Sequence, residues 1–134
     1  MGDSVLLAVT AQTRARLEAS LAGHQLAWAG TFEEVRAALS GSHFDLVVIG
    51  AHFQESTALD VLRFVKAASP GSRTVCVRGI LEHTLLGKSS VQAFCQACEV
   101  LGADVALDIA DFPESEAGRQ QLRTLLEHEL ELAA

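Results

Sequence analysis

The chain has 134 residues, 49% apolar and 20% charged, with 17 acidic against 10 basic side chains and a formal net charge of −7. Those proportions exclude a disordered chain, a collagen-like repeat and a Gly/Pro linker, and the acidic balance argues against non-specific nucleic-acid binding, which needs Lys and Arg to displace phosphate counterions. No apolar run approaches the roughly 18 residues of a membrane span, and Met1-Gly2-Asp3-Ser4 lacks the basic start of a secretory leader, so the expectation is one stand-alone cytoplasmic domain over 1–134.

Ser4 to Val9 is a short apolar run suited to a strand buried on both faces. Thr10 or Thr13 is positioned to cap a following helix, which buries Leu17 and Leu21 and stops at Gly23. His24 to Ala29 reads as a weaker strand. Thr31 with Glu34 three residues on forms a capping box for a helix that turns Val35, Ala38 and Leu39 inward and ends near Ser40-Gly41. Phe44 to Ile49 is the strongest strand pattern, closed by Gly50. After a loop, a helix is expected from about Leu59 to Ala68, then a turn at Pro70-Gly71 and a strand from Thr74 to Val77.

A long connection from Arg78 to Lys88 leads into a helix that Gly102 terminates. Its apolar stripe is Val91, Phe94, Cys95, Cys98 and Leu101. Cys95-Gln96-Ala97-Cys98 is formally a C-x-x-C, but it stands alone, and zinc usually takes four ligands from two such pairs. With Cys76, the cysteines read as small core hydrophobes rather than redox or metal groups. Asp104 to Leu107 makes a fifth short strand. A last helix from about Glu114 carries Leu122, Leu125, Leu126 and Leu130 as its stripe, with Glu127-His128-Glu129 expected on a solvated face. Five alternating β-α pairs require parallel strands with right-handed crossovers, hence an α/β three-layer sandwich: a five-stranded parallel sheet with helices on both faces.

Phe44-Asp45-Leu46-Val47-Val48-Ile49, followed by a loop and Ala58-Leu59-Asp60-Val61-Leu62-Arg63, resembles the centre of a response-regulator receiver domain of the CheY-like superfamily. Val5 to Val9 matches the first strand of that family, Pro70-Gly71 to Val77 its fourth, and Gly102-Ala103-Asp104 the Gly-Ala-Asp before its fifth, so the likeness covers nearly the whole chain. It implies a (βα)5, flavodoxin-like topology and a role in two-component phosphorelay signalling. There, a histidine kinase passes a phosphoryl group to an aspartate, with Mg²⁺ neutralising the transferring charge.

The resemblance places the phosphoacceptor at Gly50, the acidic metal pair at Val9 and Thr10, the hydroxyl at Arg78 and the lysine at Ile109. The loop proline falls at Gln54, the following glycine at Ala58 and the aromatic switch at Ala106. None keeps its functional group. The chain therefore reads as a degenerate receiver, or pseudo-receiver, that is not an enzyme, holds no cofactor or metal, and acts through contact with a signalling protein. A phosphoacceptor role for Glu55 is the weaker possibility.

Ligands of open α/β sheets bind beyond the carboxyl ends of the strands. Thr10, Gln12, Gly50, His52, Glu55, Arg78, His83, Asp108 and Asp111 fall there. The alternative function is accordingly a small ligand or metal sensor, or small enzyme, using a pocket around His52, His83 and Arg78. Against it stands the simpler expectation that Arg78 pairs with Asp108 or Asp111 and that the loop histidines are solvated. The expected interaction face joins Ala106 on the fifth strand to Leu122, Leu125, Leu126 and Leu130, with a homodimer as the favoured assembly and a monomer as the alternative.

Overall fold

The computed structural model describes residues 4–53, 56–78 and 88–133. Five strands form one parallel sheet: β1 (Ser4–Ala8), β2 (Gln25–Trp28), β3 (Leu46–Gly50), β6 (Arg73–Arg78) and β7 (Val105–Asp108), in the order β2-β1-β3-β6-β7. The helices between them are α1 (Ala11–Ser20), α2 (Phe32–Gly41), α3 (Ala58–Ala68) and α4 (Lys88–Val100), and α5 (Glu116–Ala133) follows β7. The expected α/β sandwich is the one formed. β1, β3 and β6 are covered on both faces; β1 beyond Ser4 and all of β3 are apolar, as buried parallel strands tend to be, and β6 is apolar over Val75, Cys76 and Val77.

Alternation along each strand sorts the core into two layers. Leu6, Ala8, Val47, Ile49 and Cys76 face one side, packed by Val35 of α2, Val61, Leu62 and Val65 of α3, and Cys98 of α4. Val5, Leu7, Val9, Val48, Val75 and Val77 face the other, packed by Leu17 and Leu21 of α1 and Leu122, Leu126 and Leu130 of α5. Each of these leucines, fully buried, contributes roughly 1.5–3 kcal/mol.

The end signals act largely as read. Glu34 N–H donates to Thr31 Oγ1 at 3.1 Å, while Glu34 Oε1 accepts from Gly30 N–H, one residue before the expected partner of a capping box. Gly102 (φ +101°) ends α4 in a Schellman arrangement: Ala103 N–H donates to Cys98 C=O and Gly102 N–H to Glu99 C=O. Asp104 then accepts from Thr74 N–H at 2.8 Å and lies 3.2 Å from Arg73 Nη1. The Gly-Ala-Asp segment thus ends a helix, fills a core position and pins β7 to β6.

Three expectations change. Thr10 precedes α1, but its side chain makes no cap bond to the helix and donates to Thr13 Oγ1 at 3.3 Å instead. The loop after β3 holds a two-by-two antiparallel hairpin, β4 (His52–Phe53) with β5 (Ser56–Thr57), and a 3-10 turn at Ile109–Asp111 follows β7. Both are backbone pairings too short to leave a hydrophobic period. Glu129 is not solvated. It is 5% exposed, and Oε1 accepts from Arg73 Nη2 at 2.7 Å, because position 129 lies on the inward stripe with Leu122 and Leu126.

Candidate functional site

Val9 follows β1, Gly50 closes β3 and Ile109 follows β7, all at the carboxyl end of the sheet and on the α1/α5 side. Val9 and Ile109 are fully buried in the same apolar cluster. A Cβ built on Gly50 would sit 3.5 Å from Val9 Cα and Cγ1, in ordinary van der Waals contact. The resemblance implies a carboxylate-lined Mg²⁺ site here. Mg²⁺ requires oxygen ligands in near-octahedral array; Val9 and Gly50 offer no side-chain oxygen, Ile109 offers no cation, and Thr10 offers only an uncharged hydroxyl, which donates to Thr13 Oγ1. These residues do not fit the ion.

Trp28, at the end of edge strand β2, reaches Val9 from the β2 side of the sheet. Its indole N–H donates to Val9 C=O at 2.9 Å, its ring packs under the guanidinium of Arg14 at 4.4 Å, and a Cβ on Gly30 would meet the ring at 3.0 Å. Sequence reading missed this residue. A tryptophan on a weak edge strand, with an arginine on the neighbouring helix, was the available signal.

Arg78 and Asp108 occupy the opposite face. They are in-register neighbours on β6 and β7, with Arg78 1% and Asp108 4% exposed. Alternation puts both on the Cys76 side, so the sheet itself separates them from Gly50. Asp108 Oδ1 accepts from Ala110 N–H, and Asp111 is exposed on the 3-10 turn. The carboxyl-end residues therefore do not converge on one pocket. Glu55 and His83, and the side chain of His52, lie outside the described residues. Among the described residues no group of three or more His, Cys, Asp or Glu side chains is placed to hold a metal ion.

The cysteines gather beneath α4. Cys76 and Cys98 are fully buried and Cys95 is half-buried. The Cys98 thiol, as a hydrogen-bond partner, and then burial push the Cys76 thiol well above its ordinary range. Cys95 is raised by burial first and then by Cys98, with Arg78 acting in the opposite direction. Cys98 moves the other way: its hydrogen bond with Cys76 lowers its pKa, opposed by burial and Glu99. Cys76 and Cys95, held protonated, are poor nucleophiles and poor ligands.

The expected interaction face does not form. Leu122, Leu126 and Leu130 are 0%, 0% and 3% exposed inside the chain's own α1/α5 cluster, and Leu125 is half-buried against it. Ala106 packs on the other side of the sheet. A stripe of leucines at i, i+4 and i+8 is the width one sheet face needs, and here the sheet takes all of it. The large apolar side chains exposed among the described residues are Trp28, Val100 and Leu132.

No protein-family model matches the sequence, and no curated protein matches it. Solved structures do. The chain is similar to the CheY-like response regulator receiver domain protein of Methanospirillum hungatei JF-1, at 15% identity and TM-score 0.72 over 99% of this chain and 97% of that one. It is similar to the signal receiver domain of an HD domain-containing protein from Pseudomonas fluorescens Pf-5, at 19% identity and TM-score 0.75 over 98% and 89%. It is also similar to NtrX from Brucella abortus in complex with ADP, at 19% identity and TM-score 0.78, where it spans 99% of itself and 28% of that longer chain. The fold is thus that of CheY-like receiver domains. No described helix is long and apolar enough to cross a membrane.

Proposed function

We propose that the chain is a receiver-like signalling module that works through protein contact and without phosphorylation. The observation that carries this is the apolar lining of the carboxyl end, where Val9 and Ile109 are fully buried in one cluster and Val9 lies against Gly50. Phosphoryl transfer to a carboxylate needs the nucleophile, the metal ligands and a cation together, because positioning and charge neutralisation supply almost all of its catalysis. Glycine, valine and isoleucine supply none of these. The proteins named above as receivers and response regulators support a signalling role, and the partner is a signalling protein, a second copy of the chain included.

Incubation with acetyl phosphate and Mg²⁺, or with beryllofluoride and Mg²⁺, tests the proposal. Phos-tag electrophoresis and mass spectrometry are expected to show an unmodified chain, with no ligand-induced shift in melting temperature. An acid-labile phosphoryl group on any carboxylate, Glu55 included, would overturn it.

A further inference from the structure

We infer that two copies of the chain join edge to edge through β2, antiparallel and two-fold, making one continuous sheet. This rests on the protein-contact reading and names both the partner and the surface. β2 is an outer strand, paired with β1 on one side alone. Ala29 N–H donates to Leu7 C=O at 3.0 Å, and in a parallel ladder the residues that bond one neighbour alternate along the strand. Gln25, Ala27 and Ala29 therefore turn their backbone groups to β1, while the N–H and C=O of Leu26 and Trp28 point away from the sheet. Among the described residues these outward groups have no backbone partner.

The edge is open and unguarded. Exposed edge strands are ordinarily blunted by charges or proline. The other outer strand, β7, follows Asp104 and ends at Asp108, whereas no charged residue and no proline occurs from Gln25 to Phe32. Trp28 is 40% exposed, and a cleft of about 390 Å³ lies along Gln25, Leu26 and Ala27, with Ser42, His43 and Phe44 as its other wall. The strand is also self-complementary, as an isologous interface requires. A two-fold axis at Ala27 sets Leu26 opposite the partner subunit's Trp28, and Trp28 opposite the partner subunit's Leu26. Each of these pairs exchanges two N–H···O=C bonds, and the small Ala27 side chains meet where the strands come closest. Leu26 and Trp28 both lie on the α1 side, so a leucine–tryptophan cross-strand pair forms twice. Charges on α1 match as well. Arg14 stands over Trp28, and Glu18 is one turn further along, with side chains 39% and 41% exposed. Because α1 runs against the strand direction, that turn of about 6 Å carries Glu18 back to the level of Leu26. Across the axis Arg14 then approaches the partner subunit's Glu18, and Glu18 the partner subunit's Arg14.

Light scattering and amide hydrogen exchange, each over a concentration series, test the contact on the unmodified chain. A dimer mass is expected at high concentration, with the Leu26 and Trp28 amides exchanging slowly there and fast on dilution. Leu26→Pro removes one outward N–H per copy and sets a ring on the edge, yet the N–H it deletes makes no ladder bond within the chain. It is expected to keep the circular dichroism spectrum and to raise the dimer dissociation constant at least about tenfold, two hydrogen bonds per dimer being lost. The exchange measurement needs no variant and decides the matter even where Leu26→Pro does not fold. A monomer at every concentration leaves the edge to a strand of some other protein and overturns the inference. So does a dimer whose Leu26 and Trp28 amides exchange freely, or a folded Leu26→Pro that dimerises as well as the parent chain. Phosphodonor labelling of the same samples reports separately: an inert monomer removes this contact alone, whereas a phosphorylated dimer removes the reading of phosphorylation independence alone.

Discussion

At the scale of single residues, two glycines with opposite surroundings give opposite expectations. A Cβ on Gly118 would stand 1.9 Å from Pro113 O and 2.7 Å from its carbonyl carbon, so the backbone ahead of α5 must move to admit it. Gly118→Ala is expected to cost about 1–3 kcal/mol, the usual penalty of forcing a methyl into packed space. Gly41, the last residue of α2, faces open space, and a Cβ there would meet nothing within 4 Å. Gly41→Ala is expected to gain up to about 1 kcal/mol by lowering the entropy of the unfolded chain. Urea denaturation of the two variants checks both signs. The cysteines yield a second expectation. With Cys76 and Cys98 buried and their neighbour Cys95 half-covered, thiol reagents should react slowly with the native chain, Cys95 first, and promptly with all three thiols once it unfolds. Stoichiometric zinc in the purified protein, lost in Cys98→Ser, would show that the core assignment is wrong.

At the scale of elements, His24, Glu127, Arg123 and the Ala22 carbonyl tie the end of α1 and the start of β2 to α5. The hydrogen bond from His24, opposed by partial burial and helped by Arg123, holds the Glu127 carboxyl below its ordinary 4.5. A lowered folded-state value means that the contact stabilises the protein above the unfolded-state value and that this contribution is lost as pH falls through the folded one. Glu127→Gln should therefore lower the denaturation midpoint at about pH 6, by an amount that shrinks steadily as the pH is taken below the ordinary carboxylate value. A gap that persists in acid would place the effect of the side chain in packing instead. Such cross-element ties were not legible beforehand, since His24 and Glu127 are 103 positions apart. The strands and helices were legible because buried parallel strands leave unbroken apolar runs and amphipathic helices leave a 3.6-residue period. Thr31, Glu34 and Gly102 marked ends through chemistry that acts within four residues. The fate of Leu122, Leu126 and Leu130 was not legible for a physical reason: an apolar stripe has the same spacing whether its own sheet or another molecule covers it. Trp28 escaped because its role depends on where β1 ends, and that is set by pairing across the sheet.

At the scale of the whole molecule, the sheet is a partition as much as a core. Gly50 looks toward α1 and α5, Arg78 and Asp108 toward α4, and a one-residue difference in strand parity keeps them on separate faces. Replacing Gly50 probes that partition directly. Gly50→Ala adds a methyl at ordinary contact distance from Val9 and should leave stability unchanged or slightly raised. Gly50→Asp adds a carboxyl beside buried Val9, where desolvation favours the neutral acid and raises its folded-state pKa. The sign follows from linkage: the folded chain then binds this proton more readily than the unfolded chain, so the variant loses stability as pH rises past the unfolded-state value and is penalised more at neutral than at acid pH. The neutral-pH deficit relative to Gly50→Ala is expected to exceed about 1 kcal/mol. Gly50→Asp is also expected to remain unlabelled by acetyl phosphate, because Val9 and Ile109 still supply neither metal ligand nor cation. An aspartate there that costs nothing at neutral pH, or that takes up a phosphoryl group unaided, would mean that the carboxyl end admits water and Mg²⁺ despite its apolar lining.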